Sequence, residues 1–203
     1  MSALDPSPQR VRLFQTDLLE KLTLISPQAF AVTWSLVLPI AVWAGWGAVG
    51  PLAGLGLLAV GLVIWSLFEY AMHRYLFHLE LDLPVAKWFV FLIHGNHHDH
   101  PNDSLRGLMP FSVSVPVLTM VVAGCTALLG LAGIWLFLGF FVGYLIYDIT
   151  HYACHHLPMR GRLASALKRH HMRHHFIDDE SNFAISAIFW DRVFGTRIDT
   201  LKP

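Results

Sequence analysis

Two long stretches without one ionised side chain constrain this chain more than any other feature. Leu22 to Phe68 is a run of 47 residues with no Asp, Glu, Lys or Arg, and Gly107 to Tyr147 is another of 41. A single bilayer crossing takes roughly 20 apolar residues at about 1.5 Å each. Each run is therefore long enough for about two crossings, which makes it a helical hairpin. Gly45-Trp-Gly47-Ala-Val-Gly50-Pro51 and Gly130-Leu-Ala-Gly133 supply the reversals, because Gly and Pro interrupt helices. A soluble domain of 203 residues, with 55% hydrophobic content and a mean hydropathy of +0.51, would lack the polar material to cover its surface.

The 14 basic and 14 acidic residues, and all 13 histidines, fall in residues 1–21, 69–106 and 148–203. A charge at the bilayer centre costs about 2.5–3.5 kcal/mol, which excludes them from the runs. The expected fold is an all-α integral membrane protein. Four transmembrane helices in two hairpins carry a helical cap, and the positive-inside rule puts that cap in the cytoplasm. The chain reads as one domain: an interfacial segment (1–21), a first hairpin (22–68), a first histidine set (69–106), a second hairpin (107–147), and a second histidine set with a C-terminal cap (148–203). Val11, Phe14, Leu18, Leu22 and Ile25 fall three or four apart, which suits a short interfacial helix or an early start to the first span. The opening Asp5-Pro6-Ser7-Pro8 is unlike a signal peptide. Cys125 and Cys154 have no evident disulfide partner, in keeping with a reducing compartment. A net charge of zero and the lack of a basic run give no reason to expect a nucleic-acid partner.

The histidines form two sets on nearly one ruler. His73, His78, His94, His97 and His98 are spaced H-x4-H-x15-H-x2-H-H, and His151, His155, His171, His174 and His175 are spaced H-x3-H-x15-H-x2-H-H. A lone histidine is more often a packing residue, but ten in a repeated pattern point to metal, for which neutral imidazole is the commonest ligand. Ten exceed what one ion takes, so the pattern asks for two metals in one pocket. Residues three and four apart share a helix face. His94, His97 and His98 are therefore expected to converge on one point, as are His151 and His155, and His171, His174 and His175. His73 and His78, five apart, diverge by roughly 140° on an ideal helix. Either they serve different metals or the helix is distorted there.

The ruler also sorts the remainder. His100, His156 and His170 lie outside both sets; His170 is a candidate for contact with a ligand, and His100 and His156 read as surface residues. Glu69 and Asp148 precede His73 and His151 by one turn, where a carboxylate can take the ring N–H of a ligating histidine. Asp103 could act in the same way, whereas Asp99 reads as an interfacial charge. Zinc, copper and iron all accept imidazole. Zinc has no redox chemistry, and hydrolytic zinc sites use three protein ligands rather than ten. Many imidazoles at a membrane face suit oxygen activation and attack on a lipid C–H bond.

The segments Glu69–His78, His94–Asp103, Tyr144–Tyr152, Leu167–Phe176 and Phe189–Thr196 resemble the fatty acid hydroxylase/sterol desaturase superfamily. They are most similar to the membrane catalytic domain of fatty acid 2-hydroxylases. The resemblance covers about residues 65 to 197 and implies an all-helical membrane monooxygenase with two iron ions, using O₂ and external electrons to hydroxylate the carbon beside an acyl carbonyl. The family's ten ligands fall on the ten histidines of the two sets, with no catalytic residues expected beyond them. Purified protein can carry zinc even where iron works, because intrinsic affinity favours it over Fe²⁺. Eukaryotic relatives carry a fused cytochrome-b5-type domain, for which the first 21 residues leave no room. The expected electron donor is therefore a separate protein, cytochrome-b5-type or ferredoxin-type. The expected location is a bacterial inner membrane, with the site facing the cytoplasm. A sterol or carotenoid hydroxylase or desaturase would share the same ligands. A non-catalytic metal-binding or metal-transport protein is the reading from another class, but transporters need ionisable residues within their spans. A zinc protease would need H-E-x-x-H, which does not occur.

Overall fold

A computed structural model describes residues 11–198 of the chain, and all regular structure within them is helical. The elements are α1 (Asp17–Leu22), α2 (Pro27–Ala44), α3 (Pro51–Met72), α4 (Pro84–Val90), α5 (Asn96–Asp99), α6 (Phe111–Leu129), α7 (Gly133–His156), α8 (Arg162–Phe176) and α9 (Trp190–Val193). Five-residue π-turns extend α3 (His73–Phe77) and link α4 to α5 (Phe91–Gly95). Three stretches are long and apolar enough to cross a membrane: Pro27–Ala44, Pro51–Phe77 and Phe111–His156. The third, 46 residues long, comprises α6 and α7, which fold back at Gly130, where φ is +59°.

Local chemistry sets the helix starts. Ser26 accepts from the Ala29 N–H, and Pro27, Pro51 and Pro84 stand in first turns, where a missing N–H is harmless. The first span thus begins five residues later than the charge-free run. The interfacial helix expected from Val11 to Ile25 is confined to α1. Residues 11–14 are instead held in non-helical form by Glu20, whose carboxylate accepts from the Leu13 and Phe14 N–H groups. The Asp5–Pro8 segment lies outside the described residues.

α7 is the central helix. α2, α3 and α6 each pack on it, around Trp34, Trp65, Phe140, Phe141 and Tyr144. Trp135 Nε1 donates to the Gly45 carbonyl while Trp34 meets Phe141 and Tyr144, so α2 runs antiparallel to α7. Gly54 faces Trp135, Gly61 faces Gly139 and Trp65 faces Gly143, so α3 runs parallel to α7. This last relation matters most for the site. Parallel packing carries the ends of α3 and α7, with their histidines, to the same end of the bundle. The polar helix α8 closes that end over the tip of α7.

Candidate metal centre

The five-residue step from His73 to His78 is resolved by the π-turn. His78 N–H donates to the His73 carbonyl (3.2 Å), and the two ring centroids lie 5.1 Å apart. A π-turn adds one residue to the turn and brings positions five apart onto one side. The second π-turn contains His94; the carbonyls of Phe91 and Leu92 accept from Asn96 Nδ2 at 2.8 and 2.9 Å. α5 then carries His97 and His98, α7 ends on His151 and His155, and α8 ends on His171, His174 and His175.

These ten rings form two groups of five that do not follow the two sequence sets. His73, His78, His94, His98 and His174 make one group, and His97, His151, His155, His171 and His175 make the other. Within each group one ligand atom per residue lies within 4.8 Å of the others. The expectation that each H-x2-H-H triplet converges on one point is therefore corrected. On α8, His171 and His175 differ by about 40° around the axis, but His174 lies about 60° to the other side of His171. The middle histidine of each triplet crosses to the opposite group. The His98 and His175 rings stack at 4.2 Å, joining the two groups.

The protonation pattern suits cations. His151 Nδ1 donates to the Gly107 carbonyl (3.0 Å), His174 Nδ1 to the Ser181 carbonyl (2.8 Å), and His73 Nδ1 to the Phe183 carbonyl. A carbonyl only accepts, so each ring's single proton sits on Nδ1 and leaves the Nε2 lone pair facing inward. His94 Nε2 lies 3.0 Å from His73 Nε2 and 2.9 Å from His98 Nε2, and His155 Nε2 lies 3.2 Å from His97 Nε2 and 2.8 Å from His171 Nε2. One proton per ring cannot satisfy all of these contacts. His78 Nε2, His151 Nε2 and both nitrogens of His175 are buried without a hydrogen-bond partner. Nitrogens crowded this closely, with lone pairs facing one another and too few protons between them, are what a shared cation would relieve. The donor set fits a metal ion in each group.

Burial, with the neighbouring rings adding to it, pushes His94, His97 and His171 well below the ordinary imidazole range. Burial likewise brings His98 and His174 down to about 3 and lowers His78 and His175. The rings are thus neutral near pH 7, as ligands must be. An unfolded histidine titrates near 6.5. The unfolded state therefore gains protons first as pH falls. The stability held by neutral rings is complete above about 6.5 and is lost progressively toward about 3. Bound metal and melting temperature should fall together across that window. A melting temperature that stays flat as pH falls through it would contradict this assignment.

The residues expected to partner the ligands make other contacts. Neither Glu69 nor Asp148 takes the N–H of the histidine that follows it, since backbone carbonyls occupy those positions. Glu69 instead accepts from Ile185 and Ser186, and Asp148 from Met109. His170 pairs with Asp191 (2.8 Å), outside both groups. Asp103 accepts from the Leu105 N–H and lies 3.6 Å from the Arg106 guanidinium. His100 and His156, read as surface residues, are half-buried and belong to neither group. Asp191 was not singled out by spacing, although it lies in the Phe189–Thr196 segment. It is fully buried and accepts from the N–H groups of Phe183 and Ala184 (2.8 and 2.9 Å). An apolar cavity of about 470 Å³, between α3 and α6 and floored by α7, reaches the groups at His94, His97 and His151.

Helices long and apolar enough to cross a membrane, capped by two imidazole groups that could hold metal ions, set the class of this protein. The chain belongs to the fatty acid hydroxylase family, whose profile matches residues 58–196. It is 36% identical over 200 residues to a dihydroceramide fatty acyl 2-hydroxylase of Arabidopsis thaliana, covering 95% of this chain and 82% of that one. It is 40% identical over 144 residues to a ceramide very long chain fatty acid hydroxylase of Schizosaccharomyces pombe, covering 68% of this chain and 41% of the relative. A solved structure described as full-length scs7p, with only the hydroxylase domain visible, superposes with a TM-score of 0.83 at 32% identity. That match covers 92% of this chain and 72% of the other.

Proposed function

We propose that the chain is a membrane-embedded monooxygenase that hydroxylates a lipid acyl chain at the 2-position. Two metal ions, iron in the working enzyme, are held by the two imidazole groups. One observation carries the reading: an apolar cavity of a size usual for ligand sites ends on those imidazoles, as an acyl chain entering from lipid would require. Iron would supply the activation of O₂ that protein side chains cannot. The overall change is balanced as one C–H bond, O₂, two electrons and two protons giving C–OH and water. A separate redox protein supplies the electrons.

The chain's own residues do the remaining work. Trp65, Phe68, Val117 and Leu118 line the cavity, so they receive the acyl tail and keep water from it. Fixed Nδ1–H groups keep His73, His151 and His174 as donors of Nε2 lone pairs. The relatives named for ceramide and dihydroceramide favour a sphingolipid acyl group. The test is a lipid mass spectrum from cells with and without the gene. A gain of one oxygen on carbon 2 of an acyl chain is expected; product oxygenated only on a sterol or carotenoid ring would overturn the reading.

The proposal includes four crossings, by α2, α3, α6 and α7, with the metal centre on the cytoplasmic side. Cysteines introduced at Ala48 and Ala132 should then be labelled from the face opposite to one introduced at Glu180. Equal labelling of all three from one side would reject this topology.

A further inference from the structure

Two buried carboxylates occupy matching places on the parallel helices α3 and α7. Glu69, one turn before His73, accepts from the N–H groups of Ile185 (2.7 Å) and Ser186 (2.8 Å) and from the Ser186 hydroxyl. Two residues before Ile185 is Phe183, whose carbonyl receives Nδ1–H of His73. Asp148, one turn before His151, accepts from the Met109 N–H at 3.2 Å to each oxygen. Two residues before Met109 is Gly107, whose carbonyl receives Nδ1–H of His151. We infer that Glu69 and Asp148 are a matched pair of positioning residues. Each pins the loop that presents a carbonyl to the following histidine, and so sets one imidazole of one metal group.

The physical reason lies in what the loops lack. Phe183 and Gly107 stand in segments without helix, so no ladder of backbone bonds fixes their carbonyls. A carbonyl that drifts away frees the proton to move to Nε2, turning a lone pair aimed at a cation into a donor. Glu69 and Asp148 are 4% and 1% exposed, in apolar surroundings where a carboxylate without donors would be costly. Backbone N–H groups meet that need and hold each loop to its helix by hydrogen bonds. The two arms differ in one respect: Asp191 also accepts from Phe183 and Ala184, so the Glu69 loop has a second brace.

The inference rests on the two-metal reading, and its test separates the two. Protein stripped by chelator in detergent is titrated with Zn²⁺ and read by elemental analysis and by competition with a chromogenic chelator. Wild type should take two ions. Asp148→Leu should weaken one of them by roughly 10–100-fold and spare the other. Asp148→Asn keeps an acceptor oxygen for the Met109 N–H and should restore binding. Glu69→Met should weaken the other ion by a smaller factor, with rescue by Glu69→Gln. Ser186→Ala provides a milder version of that arm should Glu69→Met fail to fold. Asp148→Leu combined with His155→Ala should affect a single ion, and combined with His78→Ala should affect both. Equal weakening of both ions, wild-type binding in Asp148→Leu, or no rescue by the amides would overturn the inference. A wild type that does not take two ions would instead remove the two-metal reading.

Discussion

Substituting His97 by alanine is expected to strip metal from the group built by the far end of the chain, His151, His155, His171 and His175, while the His73 group stays loaded. His174→Ala should do the reverse. The reason is the exchange of middle histidines: His97 Nε2 lies 3.2 Å from His155 Nε2, and His174 Nε2 lies 3.2 Å from His98 Nε2. Losing an outer contact of a ligand typically costs roughly 10–100-fold in affinity or activity, and losing a ligand should exceed that range. Product formation should therefore fall by more than about 100-fold in either variant, by comparison with that range. Elemental analysis should find close to half the wild-type metal. His100→Ala, whose ring belongs to neither group, should keep both metal and turnover. Metal lost from the His73 group in His97→Ala, detected by pairing it with His78→Ala, would show that the grouping is wrong.

The exchange also marks where sequence reading stops. The ten histidines were legible because spacing repeats, and the apolar helices because charge is absent over long runs. Their partition was not, because the 15-residue spacers leave the rotation of α5 and α8 relative to the helix ends unspecified. At His73 the sequence leaves two alternatives open, different metals or a distorted helix, and does not specify that the distortion is a π-turn. A step of five residues has no preferred reading until the i→i+5 bond from His78 to His73 is seen. The carboxylates illustrate a different limit. Glu69 and Asp148 stand at the right distance from His73 and His151 along their helices, and sequence proximity suggested direct contact. Their partners lie 116 and 39 residues away, in loops whose backbone N–H groups leave no trace in side-chain pattern. Carbonyls of Phe183, Gly107 and Ser181 hold imidazoles for the same reason without any signature of residue type.

The parallel course of α3 and α7 makes the centre possible, and two glycines permit it. A Cβ on Gly61 would lie 2.1 Å from the Leu136 carbonyl oxygen and 2.8 Å from the Phe140 nitrogen; one on Gly139 would lie 2.0 Å from the Leu58 oxygen. All of these neighbours are backbone atoms, which cannot rotate aside as a side chain can. Small residues at a crossing are how membrane helices bring their backbones together. Gly61→Ala and Gly139→Ala should therefore force the helices apart. Overpacking costs typically about 1–3 kcal/mol, and contacts with rigid backbone on several sides place these variants at the upper end or beyond. Gly56→Ala, on the same helix with open space around it, is the internal control. It should be neutral or slightly stabilising, since alanine favours helix by about 1 kcal/mol over glycine. Because α3 ends in His73 and α7 in His151 and His155, separation at the crossing should also spread the two groups. Melting temperature and metal content should drop together in both crossing variants and in neither control measurement. Should Gly61→Ala melt alongside Gly56→Ala with full metal, the close crossing would not be what aligns the histidine ends, and their alignment would have to come from α8 closing over them.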